Sequence, residues 1–160
     1  MLAKSASFAL LGLDAYCVTI ETDLTPGLPQ MTIVGLPDNA IKESRERVRL
    51  AIKNSGFSFP SSRITINLAP ADIKKEGPSF DLAIALSLLA SHEQIPPEAL
   101  HGYVFLGELS LDGRLRPING ALAIALACDP SMYKGLILPT ANAPEAALAN
   151  TLKVYPVNSL

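Results

Sequence analysis

The 160 residues carry thirteen Lys and Arg against fifteen Asp and Glu, a net charge of -2, so no global field draws the chain to nucleic acid or to acidic membranes. A hydrophobic fraction of 49% excludes general disorder, and the length suits one domain with a real core, without room for a second beside it. Cys17 and Cys128 lack the C-x-x-C spacing of a redox pair or zinc ligand set, which leaves them as small buried hydrophobes in a reducing compartment.

Near the start, the apolar stretch 8–13 is shorter than a secretory h-region and runs into Asp14 with no A-x-A-like site, so it is not a signal peptide. Alternating β-branched and aromatic residues predict a strand over 15–21. Thr25-Pro26-Gly27 breaks it and 31–35 resumes it, as a strand pair. Asp38 is a good N-cap, Ile41, Val48, Ile52 and Ser55 share one helical face, and Gly56 suits C′, so 39–55 is a helix. Branched residues then predict a strand over 63–68, closed by Ala69-Pro70.

Gly77-Pro78-Ser79 suits a helix start, and 80–90 is apolar almost all round, which makes this the central helix. A strand over 103–106 leads to a hairpin turning at Asp112-Gly113, and a short buried helix follows over 120–128. Strands at 136–138 and 154–157 flank an Ala-rich helix begun near Pro144 and Glu145. The greasiest runs, 82–90 and 121–128, fall short of the ~20 residues a membrane span needs, which predicts a soluble protein with no membrane partner. The whole reads as one α+β domain, a mixed sheet of about six or more strands with packed helices. Val157-Asn158-Ser159-Leu160 follow directly on the last strand, which suits a domain boundary in a longer protein.

Common nucleotide-binding loops are missing, since no glycine precedes a lysine or stands two before another glycine. His92 and His101 are nine residues apart, and His92-Glu93 lacks the second histidine of H-E-x-x-H, so both are expected in loops and no metal site is expected.

Four strings, Gly35-Leu36-Pro37-Asp38, 42–48 (Lys-Glu-Ser-Arg-Glu-Arg-Val), 67–72 (Asn-Leu-Ala-Pro-Ala-Asp) and Lys74-Lys75-Glu76-Gly77, stand in an order that resembles the N-terminal domain of the magnesium-chelatase-like ComM/YifB family. The resemblance covers essentially the whole chain. It implies a Lon-protease-domain-like (ribosomal-protein-S5-domain-2-like) fold, related to one domain of GHMP kinases, at the front of a cytoplasmic AAA+ ATPase. ATP and Mg would belong to the missing ATPase domain, with no cofactor here. Expected partners are that AAA+ domain and neighbouring subunits of a ring, with DNA as a further candidate through branch migration in recombination and natural transformation. Magnesium chelation itself finds no ligand cluster in the sequence.

Lon proteases use a Ser-Lys dyad, and the resemblance places Ser79 at the nucleophile. The turn before their lysine reads Pro117-Ile118-Asn119-Gly120-Ala121 here, which puts Leu122 at the lysine position. No Lys or Arg occurs between Arg116 and Lys134, so Ser79 is expected to be a helix-start residue in a domain without catalysis. The alternative is a Lon-like peptidase with a base from elsewhere, such as Lys74 or Lys75 folding back.

On the helix after Asp38, the cations Lys42, Arg45, Arg49 and Lys53 recur at steps of three or four. The row could bind phosphates, meet an acidic face of a neighbouring subunit, or form a solvated flank in which Glu46 pairs with Lys42 and Arg49, and Glu43 with Arg47. Leu50 falls opposite Val48 and Ile52 and is expected to face outward, as a contact for another domain. Lys74 and Lys75 lie in a connection where they would join a binding edge or keep it soluble. Phe57 and Phe59 are expected to pack inward, which leaves no stacking platform beside these cations.

Overall fold

Residues 3–7 alternate between small buried and more exposed side chains, the pattern of a strand with one face on a core. In the computed structural model, which describes all 160 residues, they open β1 (Ala3–Leu11). β1 forms an antiparallel hairpin with β2 (Asp14–Thr25), in register from Ala3 opposite Thr22 to Leu11 opposite Asp14. The strand expected over 15–21 is therefore present but longer, and its hairpin partner is the N-terminal segment. The segment expected as its partner is β3 (Gln30–Val34), which pairs parallel with β4 (Arg63–Ala69) instead. Parallel neighbours need a crossover, and α1 (Asn39–Asn54) supplies it.

The remaining elements are α2 (Asp81–Ser91), β5 (Tyr103–Phe105), a two-stranded ribbon of β6 (Glu108–Leu109) and β7 (Leu115–Arg116), and α3 (Ala121–Ala127). β8 (Gly135–Pro139), the short α4 (Ala143–Ala147) and β9 (Lys153–Val157) complete the chain. Seven strands form one mixed sheet in the order β3-β4-β2-β1-β5-β8-β9. α1 and α2 cover one face over a core that includes Ile20, Ile66 and Leu88, while α3 and α4 cover the other over Phe8, Leu106 and Leu136.

α1 matches its expected bounds to within a residue because its signals are local. The Asp38 carboxylate accepts from the Ile41 amide at 2.9 Å, and Gly56 beyond the far end has φ +87°. The second oxygen of Asp38 accepts from the Gly77 amide at 2.9 Å, so the cap also fixes the turn before α2. Asp38→Ala is expected to lower stability by about 1–2 kcal/mol, read as a shift in denaturation midpoint, and an unchanged midpoint would show the cap to be dispensable.

α2 is central as expected, with every residue but Leu86 buried. Small hydroxyls let it lie close on the sheet: Ser5 Oγ donates to the Ala83 carbonyl at 2.8 Å, and Thr22 and Ser87 share a hydrogen bond of 2.7 Å. The helix starts at Asp81, later than Pro78, so Ser79 stands in the preceding turn. There its carbonyl accepts from the Gly107 amide at 2.9 Å, while the Leu82 amide donates to the Gly107 carbonyl at 3.1 Å. This reciprocal pair, not helix capping, holds the Ser79 backbone.

His92 ends α2 and His101 ends a 3-10 turn, both outside regular structure as expected. Cys128 is buried, and burial pushes its thiol up to about 12. Cys17 is only half-buried, with its sulfur accepting from the Tyr133 hydroxyl at 3.2 Å. No helix is long and apolar enough to cross a membrane.

Candidate functional site

Two concavities hold the side chains singled out in the sequence. The first, of about 450 Å³, is framed by the end of β1, the turn before α2 and the turn before α3. Gly120, at φ +79°, lets α3 begin hard against β1, since a Cβ there would lie 2.4 Å from Leu10 Cδ1. That approach carries Ile118 and Asn119 to the cleft wall opposite Ser79.

Ser79 is half-buried in this cleft, and its hydroxyl is not hydrogen-bonded within the chain. Its charged surroundings are acidic: Asp38, Glu76 and Glu108 line the wall, with Phe8, Ala9, Leu10, Ile118 and Ile124 as the apolar part. Both Asp38 oxygens already accept backbone amides. Leu122, at the position matched to the dyad lysine, does not line the cleft. Its backbone amide donates to Glu145 Oε1 at 3.2 Å across to α4.

Lys75 corrects the sequence reading most sharply. Expected in solvent or at a binding edge, it is fully buried, and its ammonium donates to the Gly35 carbonyl at 2.8 Å and to the Pro70 carbonyl. Its backbone joins in: the Lys75 amide donates to Leu36 O at 3.1 Å, and Lys75 O accepts from the Asp38 amide at 3.0 Å. Burial lowers the Lys75 pKa, partly opposed by Asp72. The residue is a clasp between the β3–α1 and β4–α2 connections and does not fold back on Ser79. Lys74 does stay exposed, 3.9 Å from Glu76.

A second buried ionic cluster went unread in the sequence. Asp81, the first residue of α2, is fully buried. It accepts from Ser44 Oγ at 2.5 Å, Arg47 Nε at 2.7 Å and the Leu109 amide at 3.0 Å. It thereby ties α1, α2 and the β6–β7 ribbon together. Burial opposes the charge on Arg47, but hydrogen bonding and attraction from Asp81, with Glu108 and Glu43, hold its pKa above the ordinary value. The available signal was an acid at the head of a helix otherwise free of charge, which calls for a partner without showing which residue supplies it.

The second concavity, a groove of about 840 Å³, runs between α1 and the β3–β4 end of the sheet. Lys42, Arg45 and Arg49 line it, while Lys53 lies beyond it. Arg49 pairs with Glu46 at 2.7 Å and Arg47 with Glu43 at 3.8 Å, as expected, but the Lys42–Glu46 pair does not form. Arg49 holds the Glu46 pKa down by hydrogen bond and charge, with Arg45 and Lys53 adding to it. Leu50 is half-buried, contrary to the outward position expected. A helical wheel does not show the β6–β7 ribbon, which lies against the same flank: Arg47 shares Asp81 with Leu109, and Asn54 donates to the Leu111 carbonyl at 2.7 Å. Phe57 and Phe59 pack against the core as expected, and Phe59 also reaches the groove wall. No group of three or more His, Cys, Asp or Glu is arranged to hold a metal ion.

Residues 20–142 match the family described as subunit ChlI of Mg-chelatase. The chain is similar to the protein YifB of Salmonella typhimurium, 48% identical over 88% of this chain and 28% of that protein. It is also similar to the competence protein ComM of Haemophilus influenzae, 43% identical over 99% of this chain and 31% of that protein. Lon protease 2 of Thermus thermophilus is 30% identical over 80% of this chain and 16% of the protease, in keeping with the mixed sheet and packed helices described above. The chain thus spans about a third of the length of the curated YifB and ComM proteins it matches.

Proposed function

The chain belongs to the family of the Mg-chelatase subunit ChlI, beside relatives named YifB and ComM, and from that premise we propose that it is a non-catalytic accessory and assembly domain of a longer AAA+ ATPase. The observation that carries this reading is the cleft around Ser79: carboxylates, hydrocarbon and the Asn119 amide line it, and no ammonium, guanidinium or imidazole does.

A serine hydroxyl attacks an amide only when a base within hydrogen-bond reach takes its proton. The position matched to the dyad lysine is a leucine outside the cleft, and the buried ammonium of Lys75 is engaged by two carbonyls. Acyl transfer also requires donors aimed at the developing oxyanion, and Asp38, Glu76 and Glu108 present negative charge to it. Both features favour the non-catalytic reading.

These residues do not fit a nucleotide either. The amides of Gly77, Asp81 and Leu82 are taken, by Asp38, Pro78 and Gly107, and the carboxylates of Asp38, Glu76 and Glu108 would repel phosphates from the cleft. In this reading ATP and Mg belong to the ATPase portion of the longer protein, which drives DNA branch migration as a ring. The α1 flank with Lys42, Arg45, Arg49 and Lys53 is the face that meets either DNA or a neighbouring subunit.

The test is hydrolysis. Casein and short peptides incubated with the chain are expected to be cleaved no faster than in buffer, with Ser79→Ala identical to the wild type. Cleavage by the wild type that disappears in Ser79→Ala would overturn the reading in favour of a Lon-like peptidase.

A further inference from the structure

The seven-stranded sheet ends in β9 on one side and β3 on the other, and the two edges are built differently. β9 contains Lys153 and Pro156, a charge and a missing amide that both discourage pairing with another strand. β3 reads Gln-Met-Thr-Ile-Val, with neither charge nor proline and three branched residues. The Gln30 amide donates to the Ser62 carbonyl, on the β4 side. Alternate residues of a strand turn their amides to opposite sides, so those of Met31 and Ile33 point away from the sheet, where β3 has no neighbour.

The cationic groove runs along this open edge on its helix side, with Met31, Phe59 and Ile64 as the apolar part of its wall. Lys42 and Arg45 have no carboxylate partner, and Arg45 uses only its Nε, on the Lys42 carbonyl at 3.0 Å, which leaves its terminal nitrogens free. A strand laid beside β3 would turn every second side chain towards these cations.

We infer that the β3 edge and the α1 groove together form a docking site for an extended acidic peptide segment, which adds to the sheet as an eighth strand with its carboxylates against Lys42 and Arg45. Backbone pairing supplies affinity, and the cations select the acidic sequence. Duplex DNA suits the site less well, because it has no main chain to pair with the open amides of β3. A second copy paired through its own β3 would bring two such rows together, like charge against like. The inference rests on the assembly role only for where such a segment comes from, a neighbouring subunit.

The experiment is fluorescence anisotropy with a labelled synthetic peptide alternating Glu and Val, against the same peptide with Lys for Glu. The acidic peptide is expected to bind, more weakly as salt rises, and the basic one not to bind. Lys42→Glu with Arg45→Glu should weaken binding by about tenfold or more, and Met31→Pro, which removes an outward amide and leaves the β3–β4 ladder intact, by a similar factor. In the unmodified chain the Ile33 amide should exchange with solvent more slowly once peptide is bound, which tests strand addition even if a variant misfolds. Equal binding of both peptides, or unchanged Ile33 exchange at saturation, would overturn the inference. So would duplex DNA displacing the acidic peptide from the groove. None of these outcomes bears on hydrolysis at Ser79, so the two readings can fail separately.

Discussion

Asp81→Ala is expected to cost the fold about 3–5 kcal/mol, the range for breaking a buried ion pair by removing one partner. The carboxylate is fully buried, and its removal strands three donors at once: the Ser44 hydroxyl, the Arg47 guanidinium and the Leu109 amide. Arg47 keeps the Ala40 carbonyl at 2.8 Å and Glu43 at 3.8 Å, and about a fifth of its side chain reaches water (19%), so partial rehydration favours the lower end. Asp81→Asn keeps an acceptor and loses the charge, and should fall between the two. Urea denaturation monitored by circular dichroism measures the difference, and a loss below about 1 kcal/mol would mean that the cluster does not join the helices.

Lys75→Met should destabilise by about 1–3 kcal/mol, because the new side chain fills the space of the stem but leaves the Gly35 and Pro70 carbonyls without a donor. The effect has a pH signature. The folded pKa of Lys75 lies below its ordinary 10.5, chiefly through burial, so the unfolded chain holds this proton to higher pH than the folded one. Stability contributed by the group therefore rises as pH climbs from the lowered folded value towards 10.5, and is constant below that window. Lys75→Met lacks the rise, so the gap between wild type and variant should widen on the alkaline side. A gap that stays constant there would place the ammonium in solvent, and one that narrows would mean that the folded state holds the proton more tightly than the unfolded chain.

The contrast between these residues and α1 shows what a sequence carries openly. Asp38, the apolar face through Ile41, Val48 and Ile52, and Gly56 are all local signals, and α1 follows them closely. β1 had no such signal. Lys4, Ser5, Ala6 and Ser7 are poor strand formers alone, and their strand depends on distant partners: β2 and β5 alongside, with the Ala83 and Phe105 carbonyls accepting from Ser5 and Ser7. Without β1 in view, the local pattern pairs β2 with the next strand along the chain and hides the crossover through α1.

Charge was the least legible feature. Lys74 and Lys75 are identical neighbours in a polar loop, yet one is exposed and the other fully buried, decided by carbonyls at Gly35 and Pro70 that only the fold brings near. Arg47 and Asp81 are 34 positions apart, and nothing local in the run 81–91 shows that its first residue bridges two helices. The Ser79 region was easier to read, because the resemblance named its three parts. The structure brings Ser79 and the turn at Ile118 and Asn119 to one cleft and leaves Leu122 outside it.

A serine whose hydroxyl is hydrogen-bonded to no base does not react with a fluorophosphonate at a rate above that of an ordinary surface hydroxyl. Incubation of the chain with such a reagent, followed by intact-mass spectrometry, is expected to return the unmodified mass for the wild type and for Ser79→Ala alike. A single adduct that peptide mapping assigns to Ser79, and that Ser79→Ala abolishes, would contradict the non-catalytic account and make the cleft an active site.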